Sequence, residues 1–187
     1  MKKRLLSLLL ALCMALSLVP VGAVAQSAVT TIPVSGGKPT ASSGTGWTYD
    51  GKTLTLTNGS FALSSNLGDV KVVIQQYATL MAGSTTTFGY ASYVTNYGTI
   101  GQSGTTDYPQ FSGSVHNYGN ILGGQFNYHV YNHSGGHIKG GEFHSSYSVT
   151  NDTGGYIDSG TFNGTVDNSG TINSGTFNGT VSNLSTI

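Results

Sequence analysis

The sequence predicts an all-β protein: a parallel β-solenoid (β-helix) of triangular cross-section, with about 15–19 residues per coil. Three observations predict it. From Phe162 onward the chain repeats itself fifteen residues later, Phe162, Val166, Asn168 and Ile172 recurring as Phe177, Val181, Asn183 and Ile187. The same apolar triplet occurs four times upstream, as Phe88, Val94, Ile100; Phe111, Val115, Ile121; Phe126, Val130, Ile138; and Phe143, Val149, Ile157. In all six copies the residue two after the Val is Asn: Asn96, Asn117, Asn132, Asn151, Asn168 and Asn183. Such short-period self-similarity marks a solenoid, because one unit cannot bury its apolar face without stacking on the next.

Residues 1–25 read as a signal peptide. Lys2, Lys3 and Arg4 make a positive start, Leu5 to Val19 an apolar run, and Ala23-Val24-Ala25 a small-residue cleavage site. The apolar run is short for a span and no second one follows, so the expectation is a secreted chain starting near Gln26, with no membrane insertion after cleavage. Cys13 is the single cysteine and Arg4 the single arginine, so cleavage removes both. Disulfides and thiolate chemistry are thereby excluded from the mature chain. Its four lysines, Lys38, Lys52, Lys71 and Lys139, face seven carboxylates, a net charge of −3. Nucleic acid is therefore not an expected partner, since phosphate binding needs a basic surface.

Residues 26–46 are rich in Gly, Pro and Ser and read as a loose leading segment with one short strand at residues 29–34. Residues 47–56 read as two strands around the Asp50-Gly51 turn, with Leu54 and Leu56 alternating against Thr53 and Thr55. Trp47 is expected as a lid on the N-terminal end. Over residues 47–83 the apolar positions continue without the Asn column, so these are expected to be irregular capping coils. Residues 84–187 are then six regular coils, the last incomplete. Within each coil, three short strands point one apolar side chain inward and flank it with outward polar ones. Gly and Asn-Gly pairs supply the corners. The general rule for parallel crossovers favours right-handed winding, with left-handed exceptions among short-coil solenoids.

The Asn column falls at the corner after the Val strand, where each amide can bond its neighbours above and below as a structural ladder. Outside the core, Tyr and His concentrate on the middle coils. Tyr97, Tyr118 and His133 follow the Asn, and His137 and Tyr156 precede the Ile. These five are the candidate ligand-binding residues, since an aromatic and polar strip suits a sugar polymer. His129, His133 and His137 are spaced by four, but the Gly135-Gly136 pair and strand-type neighbours argue against a helical metal face, and in the solenoid they fall on different columns, so no metal and no cofactor is expected. Among the carboxylates of the repeat, Glu142 and Asp158 fall in different columns and form no acid–base pair of the kind glycoside hydrolysis needs.

WTYDGKTLTL at residues 47–56, GDVKVVIQQYATL at 68–80 and SGTFNGTVDNSGTINSGTFNGTV at 159–181 together resemble secreted bacterial cell-surface proteins with parallel β-helix, pectate-lyase-like repeats. The resemblance covers most of the mature chain. It implies a non-catalytic, carbohydrate-binding or adhesin-like module at the cell surface, with polysaccharide or a host or cell-surface glycan as partner. Two alternatives stand beside it: a purely structural repeat fragment of a larger surface protein, and a lyase- or hydrolase-like β-helix enzyme. Lyases of that architecture rely on an arginine base and calcium-binding carboxylates, which the mature chain does not supply. Ile187 is an inward position with no cap after it, so end-to-end self-association or further repeats are also expected.

Overall fold

Each short strand of the repeat lies parallel to the equivalent strand one coil away, so that like side chains meet. Phe88, Phe111, Phe126, Phe143, Phe162 and Phe177 stand in one register column. Val94, Val115, Val130, Val149, Val166 and Val181 form the second, and Ile100, Ile121, Ile138, Ile157 and Ile172 the third. The protein is an all-β parallel β-solenoid, seen here in a computed structural model that describes residues 28–81, 87–89, 93–102 and 109–185. The leader at 1–25, the start at Gln26 and the terminal Thr186 and Ile187 lie outside the described residues. Among the described residues no helix is long and apolar enough to cross a membrane.

Successive Val residues are 21, 15, 19, 17 and 15 positions apart. The spread exceeds the expected 15–19 because only the strands stack. Corners can lengthen outward without disturbing the columns, as the two-residue additions Ser134-Gly135 and Thr153-Gly154 do.

Parallel stacking also begins before Phe88. Thr53–Leu63 and Lys71–Leu80 each span two columns: Leu54 pairs with Val72 and Val72 with Val94, while Phe61 pairs with Leu80 and Leu80 with Ile100. Val29–Ile32 adds a further parallel strand against Ser60–Leu63. Trp47–Tyr49 runs antiparallel to residues 54–56, which buries Trp47 opposite Leu56.

Rings of the Phe column stack at centroid distances of 4.6–5.0 Å with planes within 7–14°. Room for them comes from glycine. Gly160 has φ +137°, and a Cβ there would sit 3.0 Å from the Phe162 ring. Among the described residues no buried side-chain nitrogen or oxygen lacks a hydrogen-bond partner.

Candidate functional site

The polar ladder is the first feature that the coils build. Asn96, Asn117, Asn132 and Asn151 have no exposed surface. Each Nδ2 donates to the Oδ1 of the Asn one coil on, at 2.7, 2.7, 2.6, 2.6 and 2.6 Å from Asn96 through to Asn183. The same Nδ2 groups close the corners by donating to backbone, as from Asn132 to the Gly136 carbonyl at 3.1 Å. A column of buried amides costs little when every group is paired. It ends N-terminally on Ile74 and Leu56, which occupy the same register position.

Because successive side chains alternate, an inward Val and Asn put their neighbours outward on one sheet face. Its rungs read Tyr93, Thr95, Tyr97; Ser114, His116, Tyr118; His129, Tyr131, His133; and Ser148, Thr150, Asp152. Here three of the five candidate residues meet. Tyr97 and Tyr118 stack at 5.1 Å, and Tyr118 and His133 at 4.4 Å. His133 Nδ1 then lies 2.7 Å from Asp152 Oδ2.

The other two candidates share the adjoining face. His137 and Tyr156 stack at 4.6 Å with planes 9° apart. Asp158 holds the imidazole through Nδ1 at 2.7 Å and accepts a bond from Asn173 Nδ2 at 2.7 Å. Burial pushes the Asp158 carboxyl up, but those two bonds and the nearby His137 and Lys139 charges outweigh it and hold it below its usual 3.8. The two clusters are thus separate stacks on neighbouring columns rather than one continuous strip.

Sequence reasoning left out His116, Tyr131, Tyr93 and Asp152. His116 is packed between the rings of Tyr93 at 4.7 Å and Tyr131 at 4.6 Å. Its Nδ1 also lies 2.9 Å from His133 Nε2. Burial, then the neighbouring His133, holds the His116 imidazole below its ordinary value against the pull of Asp152. Burial likewise pushes the Tyr118 phenol up, with Tyr97 and Tyr93 adding to it. The column alignment contained the signal, since His116 and His133 sit on adjacent rungs one column apart; no linear motif marks them.

Stacking along the solenoid axis decides what this face can offer. The rings cover one another's faces, so the middle of each stack presents ring edges, phenol hydroxyls and imidazole edges. Tyr93, Tyr97, Tyr118 and Tyr156 nevertheless remain 36–46 % exposed. Charged side chains on or next to the face include Asp152, Asp167 and Lys71, whose Nζ is 5.7 Å from the Tyr93 ring centre.

A cleft of about 570 Å³ lies elsewhere, along the corner before the Phe column. Its lining is glycine, Ser and Thr with Gln125 and Glu142, so it offers a hydroxyl-lined trough with a single charge and no ring. His129, His133 and His137 face three different partners, Ser148, Asp152 and Asp158. Among the described residues no three His, Cys, Asp or Glu groups stand together to hold a metal ion. Comparison with protein-family models, with curated proteins and with solved structures gives no match.

Proposed function

We propose that the chain is a secreted, non-catalytic β-solenoid module of the cell surface or extracellular space that binds polysaccharide through its exposed Tyr, His and Asn side chains. One observation carries this reading: Tyr97, Tyr118, His133 and Asp152 line up on consecutive rungs, beside His116 and Tyr131. Rungs recur about every 4.8 Å, so hydroxyls and imidazole nitrogens repeat along a straight line. An extended sugar chain offers hydroxyls and apolar C–H edges in a comparable linear repeat. Polar tips would bond its hydroxyls while ring edges cover its C–H groups. Four lysines against seven carboxylates in the mature chain favour glycans without carboxylate or sulfate. Electrophoretic retardation of the secreted chain in gels containing neutral polysaccharides tests the reading. Retardation that survives Tyr118→Ala and Tyr156→Ala together removes these residues from the site.

A second reading has its own support. Rings that satisfy one another's faces behave like structural cross-strand pairs, each stabilising the sheet by about 0.2–1 kcal/mol. On that reading the module is a structural or adhesin repeat. The double variant would then lose thermal stability while no polysaccharide retards the parent.

A further inference from the structure

One chain of hydrogen bonds crosses three coils of the aromatic face. Asp152 Oδ2 lies 2.7 Å from His133 Nδ1, and His133 Nε2 lies 2.9 Å from His116 Nδ1. The two imidazole planes differ by 22° and their centres are 5.2 Å apart. A 2.9 Å contact plus the two ring radii accounts for that separation, so the rings meet nitrogen to nitrogen, nearly in one plane. This is the geometry of a directed N–H···N bond.

Direction follows from the carboxylate. Ionised Asp152 only accepts, so His133 carries its proton on Nδ1 and, while neutral, offers Nε2 as an acceptor. His116 must then donate from Nδ1, which leaves its Nε2 bare. A surface aspartate thereby sets the tautomer of a histidine two coils away.

We propose that this chain is a proton-operated release for the ligand of the aromatic face: at neutral pH His116 Nε2 accepts a hydrogen bond from a ligand hydroxyl, and acid converts it to a donor and lets the ligand go. The proposal rests on the glycan-binding reading and adds its regulation. The surroundings of His116 suit the role. Tyr93 and Tyr97 face it from the strand on one side, His129, Tyr131 and His133 from the strand on the other, and Tyr118 from its own strand. Lys71 lies beyond the Tyr93 ring, and Asp152 is reached through His133. Rings of Tyr93 and Tyr131 on either side keep His116 from swinging out to find a different partner. One added proton can be shared along the chain. A second would set two N–H groups against each other across 2.9 Å and break it.

Two measurements on the secreted chain test this. Nitrogen-15 NMR of the imidazoles at about pH 8 reads the tautomers directly. Both His116 and His133 are expected with the proton on Nδ1, and Asp152→Ala is expected to return both to Nε2–H. Gel retardation by neutral β-glucan or xylan is then compared from about pH 7.5 down to about pH 4.5, where the dissociation constant should rise several-fold, with its midpoint below that of an ordinary imidazole because His116 is held down by burial and His133. His116→Gln keeps an acceptor oxygen that does not titrate, so whatever its own affinity, its dissociation constant should be the same at both ends of that range.

An Nε2–H tautomer at His116 in the parent overturns the release mechanism even if glycan binds. Equal acid release in His116→Gln overturns it as well. No retardation at any pH, with the expected tautomers present, overturns the glycan reading and the release together but leaves the hydrogen-bond chain standing.

Discussion

Asn132 Nδ2 donates to Asn151 Oδ1 at 2.6 Å, and neither side chain has exposed surface. The bond is one link of a ladder in which each internal Asn serves the coil before and the coil after. Asn132→Ala leaves Asn151 Oδ1 without its donor and removes one acceptor from Asn117 Nδ2 in the dry interior, at a cost of about 1–3 kcal/mol. Ser134→Ala, at an exposed corner, should change little. Thermal unfolding of both variants checks this; equal tolerance of the two would show that the ladder is not a stability element.

Position along the ladder should matter too. Asn96 bonds one ladder neighbour, Asn117, while Asn132 bonds both Asn117 and Asn151. On the other side Asn96 meets Ile74. Asn96→Leu should therefore cost less than Asn132→Leu, with the difference near one neutral hydrogen bond, about 1 kcal/mol. Denaturant midpoints of the two variants measure it.

Gly136→Ala should destabilise the protein. A Cβ at Gly136 would lie 2.5 Å from Asn132 Oδ1 and 2.6 Å from the Asn117 carbonyl, both part of the ladder corner. Overpacking of this kind costs about 1–3 kcal/mol. At Gly68 the nearest atom is 3.5 Å away and φ is ordinary, so Gly68→Ala is the control. A melting temperature equally unaffected in both would contradict the close packing of the corner.

Acid should lower the stability of the protein in two stages. The folded pKa of His116 is below that of a free imidazole, so the unfolded chain binds more protons there, and stability falls as pH drops through about 6.5. Asp158 is also depressed, so its contribution is present above 3.8 and is lost as pH falls below that value. His116→Gln should flatten the first stage and leave the second. Stability measured by denaturant titration across that pH range reads both.

Tyr118 sits between Tyr97 and His133 in its stack. Tyr118→Ala should lose two ring pairs at about 0.2–1 kcal/mol each. Tyr77, 74 % exposed, is the comparison residue, and Tyr77→Ala should leave the melting temperature where it was.

Most of the architecture was legible in the residues themselves. Phe, Val, Ile and Asn at fixed offsets determined the all-β parallel solenoid, its inward columns and the outward positions of Tyr97, Tyr118, His133, His137 and Tyr156, because alternation along a strand is a local rule. Less legible was the stretch before Phe88, where Leu54, Val72 and Leu80 occupy the Val and Ile columns without the Asn that would have marked them. Tertiary structure alone decided which outward side chains touch. Whether His116 bonds His133 rather than stacking on it, and whether ring faces are free or spent on one another, depends on lateral offset and rotamer between coils. Those are set by packing across the sheet, and no spacing along the chain encodes them.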